Sequence, residues 1–295
     1  MQVEIFPRLL LLAAAFLFST GGMAVKSCGL PDGQIAGLRC GLAALVFLIA
    51  LPSARRWPGR RSLLVGLAYA STLTLYVLSN KNTTAVNAIF LQATAPIYIV
   101  LLGPRLLGEK THLRDLALMV LMAAGLVFLL TGDVTTTEVA ADPLKGNIFG
   151  FLAGISWALT IMGLRWMESS PQSNEGAVSA VMAGNGIAFL ASLTFSLPWT
   201  QGTLNDWLWL GYLGVFQVAL AYICLTAGMR RVPAFEASLL LLVEPVFSPL
   251  WAFWVHAEVP SRLAMLGAGL VLLATALKPL LDRRAQEHGV DGDPV

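Results

Sequence analysis

The chain has 295 residues, 57% of them hydrophobic and only 12% charged, with a formal net charge of +2 and a mean hydropathy of +0.73. A soluble domain carries about 25% charged residues, so half that share excludes an ordinary water-soluble fold, and so small a net charge gives no basis for binding nucleic acid. The three cysteines, Cys28, Cys40 and Cys224, are odd in number and lie in or beside apolar runs, which excludes a disulfide framework.

Apolar runs fall at about 8–27, 33–51, 62–80, 84–104, 113–131, 146–166, 176–197, 206–228, 233–255 and 261–281. Each is long enough to cross ~30 Å of hydrocarbon as a helix. A helix also keeps every backbone polar group paired inside lipid. The expected fold class is therefore an all-α membrane protein with ten transmembrane helices. Arg8 and the apolar run after it resemble a signal peptide, but Glu4 does not suit a basic leading region, so the run is read as the first span. The longest loop carries Asp133, Thr135, Thr136, Thr137, Glu138 and Asp142 and separates five spans from five. The expected organisation is a first five-helix repeat over 1–131, an extracytoplasmic linker over 132–145, a second five-helix repeat over 146–282, and a polar, disordered cytoplasmic tail over 283–295.

Positive charge sets orientation. With the N-terminus in the cytoplasm, fourteen of the 19 Lys and Arg residues fall on the inside, among them Arg8, Arg55, Arg56, Arg105, Arg165, Arg230 and Arg231. Only Lys26, Lys81, Lys145 and Arg262 fall outside, and Arg39 lies within a span. Both termini are expected in the cytoplasm, with the chain in the plasma (cell inner) membrane.

The fourth and ninth runs repeat one another. Thr84–Glu109 aligns with Pro233–Glu258 at an offset of 149 residues, with identities at Ala85/Ala234, Ala88/Ala237, Leu91/Leu240, Pro96/Pro245, Leu101/Leu250 and Glu109/Glu258. Interrupted hydrophobic helices at matching places in two halves point to a transport site. Phe18–Lys26 likewise resembles Trp157–Arg165, and Ala124–Val127 recurs as Ala268–Val271. An odd number of spans per half makes the two repeats inverted.

Ten spans as five plus five, a cation after the first and sixth, Arg39 early in the second, and Pro-x12-Glu in the fourth and ninth together resemble the drug/metabolite transporter superfamily, in its EamA-type exporter branch. The resemblance covers about residues 8–281. It implies a ten-helix bundle, small-molecule export and alternating access. Four-helix multidrug members carry a glutamate in their first helix; here Leu9–Met23 has no acid, which argues against proton-coupled export of hydrophobic cations.

The fifth and tenth runs are almost devoid of polar side chains and are expected at the lipid-facing periphery. Elsewhere polar residues recur at helical spacing: Tyr69, Thr72, Tyr76 and Asn80 in the third; Thr84, Asn87, Thr94 and Tyr98 in the fourth; Ser156, Trp157 and Thr160 in the sixth; Gln217 and Tyr222 in the eighth. They suit a cavity for a neutral or zwitterionic amphiphile; interhelical hydrogen bonding is the other reading. Arg39 and Glu244 are the charges deepest in the membrane. Glu244 lies about 16 Å from the start of its helix at ~1.5 Å per residue. The two either serve packing, paired or against helix ends, or hold the carboxylate and ammonium of a zwitterion, or Glu244 takes a proton. Pro96 and Pro245 lack an N–H, free the carbonyls of Gln92 and Leu241, and mark a paired hinge. Gly33, Gly37, Gly41 and Gly146, Gly150, Gly154 form small faces for close internal packing in a monomer, a dimer seam being the alternative.

Gly103–Thr111 falls one residue short of a phosphate-binding loop, because Glu109 stands where the lysine is required. The sequence has no metal-ligand cluster, no nucleophile turn and no paired carboxylates, so no catalytic residue, metal or cofactor is expected, against the rival reading of an intramembrane enzyme. The expected function is a secondary transporter exporting small amphipathic metabolites, amino acids foremost, with drugs or nucleoside- and sugar-type metabolites as the alternative cargo.

Overall fold

The computed structural model describes residues 5–83, 85–109, 112–131, 142–169, 176–195 and 201–256, and part of 262–281. Thr84, Glu258, most of the 132–145 linker and the 283–295 tail lie outside the described residues. Every regular element described is helical. In chain order these are α1 (Ile5–Ser19), α2 (Gly21–Ser27), α3 (Asp32–Ala50), α4 (Arg60–Asn82), α5 (Ala85–Gln92), α6 (Ala95–Leu106), α7 (Leu113–Thr131), α8 (Pro143–Ser169), α9 (Ala177–Phe195), α10 (Leu204–Tyr212), a π-helical segment (Leu213–Leu220), α11 (Ala221–Met229), α12 (Ala234–Leu241) and α13 (Glu244–His256), with a 3-10 turn at Pro52–Arg55.

Helices fall on the apolar runs, but they are not uniform rods. Among the described residues five stretches are long and apolar enough to cross a bilayer: Ile5–Ser27, Asp32–Ala50, Arg60–Asn82, Leu144–Ser169 and Leu204–Met229. The fourth and ninth runs are each two short helices. α5 and α12 begin at Ala85 and Ala234 and end at Gln92 and Leu241; α6 and α13 begin at Ala95 and Glu244. Each boundary in the second pair lies 149 residues beyond its counterpart. Pro96 and Pro245 take the second position of the new helix, where a fixed φ suits the first turn and a missing N–H costs little. The kink expected at each proline is thus a full break. Its turns are tightened by Thr94 N–H donating to Leu91 O (3.4 Å), Leu242 to Leu239 O (3.1 Å) and Val243 to Leu240 O (3.3 Å).

Around these breaks α4 packs on α8 and α9, α3 on α9 and the π segment, and α1 on α11. Glycine makes the approach possible. A Cβ on Gly184 of α9 would strike the Tyr69 ring and come within 2.7 Å of the Gly66 carbonyl of α4. Gly37 and Gly41 press on Ser192 and Phe189, while Gly150 and Gly154 face Ser79, Leu91 and Thr94. Both glycine rows are therefore used inside the bundle at these positions. α7 leaves Leu113, Leu116, Val120, Val127 and Phe128 exposed, and Leu118 and Met122 reach inward to Ala93, Leu239, Leu242 and Val246 beside the breaks.

Polar contacts gather at two ends of the bundle. At one, Asp206 caps α10, accepts from Gly29 N–H (2.7 Å) and lies beside Cys28, whose carbonyl accepts from Lys81 Nζ (3.2 Å). Asp142 N–H donates to Asn82 O at the same end (3.2 Å). At the other, Arg8 pairs with Glu236 (2.6 Å). Glu109 accepts there from Arg165 Nε (3.0 Å) and Ala234 N–H (2.9 Å). α1 therefore runs from the Glu236 end to the Cys28 end, and α8 runs the other way.

Candidate functional site

The third, sixth and eighth runs meet the two helix breaks in the middle of the bundle. Four rings interlock there edge to face: Tyr69 with Tyr222 (4.6 Å between centroids), Phe18 with Tyr222 (5.0 Å), Phe18 with Trp157 (5.9 Å) and Trp157 with Tyr222 (6.2 Å). Tyr69 and Thr72 share a face of α4, and Trp157 and Thr160 share one of α8. The hydroxyls of Thr72 and Thr160 lie 3.2 Å apart across that contact. Gln217 and Tyr222 are five residues apart, which on a regular helix separates them by ~140°. The wider turn of the π segment beneath Gln217 narrows that angle, a local winding that recurs at functional sites.

Beside the rings lie two small cavities that share Gln92, Trp157 and Glu244. One, of about 20 Å³, is lined also by Phe18, Thr72, Leu73, Tyr76, Gln217 and Tyr222. The other, of about 10 Å³, lies between the breaks, against Ala93, Pro96, Ser238, Leu241 and Pro245. A cavity needs roughly 10–15 Å³ to hold a water, so each has room for about one. Of the residues expected to line a cavity, Thr72, Tyr76, Trp157, Gln217, Tyr222 and Glu244 do so here. Tyr69 and Thr160 stand directly behind them.

The remaining four are placed elsewhere. Asn80 turns back to donate to the Tyr76 carbonyl (3.0 Å). Thr94 donates to Leu91 O (2.6 Å) at the helix break. Tyr98 packs edge-on to Phe151 (6.3 Å). Ser156 offers its carbonyl to Thr160 (2.8 Å). Three polar residues at the centre were not anticipated. Gln92 lines both cavities, Ser238 lines the smaller one, and Asn185 donates to the Tyr69 hydroxyl (2.9 Å). An amide in an apolar run just before a proline break was the available signal for Gln92.

The two deep charges do not pair with each other. Arg39 is fully buried and donates to the Leu73 carbonyl (2.8 Å) and to Gln217 Oε1 (3.3 Å). It acts through the cavity wall rather than inside it. The Glu244 carboxylate is 7% exposed, lines both cavities and has no hydrogen-bond or ion-pair partner among the described residues. A charge there costs about 2.5–3.5 kcal/mol or more unless neutralised. The Tyr76 hydroxyl and Gln92 Oε1 are likewise buried without partners. The site therefore brings unsatisfied polar groups together with a cluster of aromatic rings. No group of three or more His, Cys, Asp or Glu able to hold a metal occurs among the described residues.

A multi-pass helical bundle with broken central helices around a small amphipathic chamber defines a membrane transporter. The chain belongs to the EamA-like transporter family, whose pattern it matches twice, over residues 6–131 and 144–278. It is 26% identical to an uncharacterized transporter of Archaeoglobus fulgidus, over 88% of this chain and 91% of that one. It is also 24% identical to the aromatic amino acid exporter YddG of Ancylobacter novellus, over 64% of this chain and 65% of that one. A solved crystal structure matches the fold with a TM-score of 0.76 at 21% identity, covering 94% of this chain and 98% of the other. The family and these named relatives are transporters, not enzymes.

Proposed function

We propose that the protein is a secondary exporter of small zwitterionic amphiphiles, amino acids foremost, working by alternating access from the cytoplasm. The observation that carries this reading is the chamber itself. Phe18, Trp157 and Tyr222 offer an apolar wall to a side chain, while Tyr76, Gln92, Gln217 and Glu244 offer polar partners to a head group. A phosphorylated sugar would want more than the single guanidinium nearby, and Arg39 is already engaged. The similarity to an aromatic amino acid exporter agrees with a ring-lined site.

Alternating access needs two arrangements of one scaffold. The family pattern occurs twice, α1 and its counterpart α8 run in opposite directions, and the helix breaks recur at the same offset. These support inverted repeats over 1–131 and 146–282 that exchange one chamber between two sides, with Pro96 and Pro245 as hinges. The excess of Lys and Arg on one set of loops supports cytoplasmic termini in the inner membrane. Proteoliposome counterflow tests the reading. Preloaded aromatic or aliphatic amino acids should drive uptake of a labelled one. Exchange of only nucleosides or cationic dyes would transfer the function to another cargo, and absence of all exchange would overturn it.

A further inference from the structure

We propose that the junction of the two helix breaks is a binding site for one monovalent alkali cation, held by the Glu244 carboxylate, Gln92 Oε1 and the carbonyl oxygens of Gln92 and Leu241. The site is the smaller cavity, which has room for a single dehydrated ion or a single water. Besides the indole of Trp157, the polar side chains that line it, Gln92, Ser238 and Glu244, each carry an oxygen acceptor. Glu244 has no partner among the described residues. Gln92 Oε1 is buried and unpaired. Pro96 and Pro245 have no N–H to return to the Gln92 and Leu241 carbonyls, so both lose their helical partner. Ser238 adds a hydroxyl oxygen whose proton is given to the Phe235 carbonyl (2.7 Å), leaving its lone pairs free for a cation.

α5 ends at Gln92 and α12 at Leu241, while α6 begins at Ala95 and α13 at Glu244, so the helix ends at the junction offset one another and the net negative charge there is that of the Glu244 carboxylate. The nearby guanidinium of Arg39 donates to Gln217 and Leu73 instead. Two unpaired acceptors cannot satisfy each other, whereas a cation between them satisfies both. Oxygen donors of this kind suit a hard cation. A single carboxylate suits a monovalent one, since Mg²⁺ and Ca²⁺ want more charge or more retained water. Unwound backbone between half-helices is where transporters place such ions. Bound there, the ion would tie the two breaks together and so couple to movement about Pro96 and Pro245; that role, though not the site, rests on the export reading.

The test uses the full-length protein in detergent with no organic substrate. Its thermal unfolding midpoint is followed as NaCl or KCl replaces choline chloride at constant ionic strength. A saturable rise of about 2–4 °C with an alkali cation is expected, lost in both Glu244→Gln and Gln92→Leu. Gln92→Leu keeps the charge and removes only the amide, so it carries the test if Glu244→Gln does not yield monodisperse protein. Equal midpoints in sodium, potassium and choline would overturn the site. So would a cation response that persists in the folded variants, or a response to pH alone, which would mean that Glu244 takes a proton. Because no cargo is present, this result stands apart from counterflow: either can fail while the other holds.

Discussion

Arg39 Nη1 donates to Gln217 Oε1 at 3.3 Å, joining the second run to the π segment directly behind the chamber. A buried guanidinium that loses a hydrogen bond is costly, and bonds to charged groups contribute about 1.5–3 kcal/mol. Gln217→Leu should therefore destabilise the protein by about that amount. Arg39→Met in the same background should recover part of it, because the stranded charge is gone. Unfolding measured across the four combinations gives the coupling directly, and additive effects would deny the pair any such role.

Glu244→Gln should separate stability from transport. The unpaired carboxylate is a liability in a buried site, so the amide should unfold about 1–3 kcal/mol later in cation-free buffer. Flux in proteoliposomes should fall at least about tenfold, equivalent to 1.4 kcal/mol in the barrier. Unchanged flux would leave Glu244 a packing residue.

Gly184→Ala tests the α4–α9 contact. The new methyl would strike the Tyr69 ring and lie 2.7 Å from the Gly66 carbonyl, an overpacking that costs about 1–3 kcal/mol. Gly186→Ala, two residues on and with nothing within 4 Å of its Cβ, should instead be neutral or gain up to about 1 kcal/mol. Thermal unfolding of the two variants side by side should show this opposite behaviour.

At the end of the bundle where Glu109 holds both Arg165 Nε and Ala234 N–H, one carboxylate ties α8 to the start of α12. The pair is partly exposed, so Glu109→Gln should cost little stability, about 1 kcal/mol or less. It should loosen that end. A cysteine at Tyr76 should then react several-fold faster with a water-soluble thiol reagent applied from the Arg165 side, and no faster from the Cys28 side. Equal acceleration from both sides would mean general loosening.

The two broken helices were legible in the sequence because proline and an offset repeat mark them, and the break positions obey that offset to the residue. The cavity was legible in part. Helical spacing brought Thr72 and Tyr76 to one face, and Trp157 and Thr160 to another. The same spacing also pointed to Asn80 and Thr94, whose side chains instead bond backbone carbonyls of their own turns. A short polar side chain in an apolar helix has that local alternative, and periodicity does not reveal which it takes. The π segment carries no glycine–proline signature at its core, so the phase of Gln217 relative to Tyr222 could not be read. Nor could the partner of Arg39, because pairing across the bundle depends on helix rotation that composition does not fix.

The most direct test of an amino-acid chamber is amino-acid counterflow in two variants that each lose only a phenolic oxygen. Tyr76 lines the site and its buried hydroxyl has no hydrogen-bond partner among the described residues, whereas Tyr98 packs on Phe151. Tyr76→Phe should raise the half-saturating amino-acid concentration about 2–10-fold, the worth of one hydrogen bond, and Tyr98→Phe should leave it unchanged. Equal values in both variants and the wild type, or a larger effect at Tyr98, would contradict the chamber as the place where cargo binds.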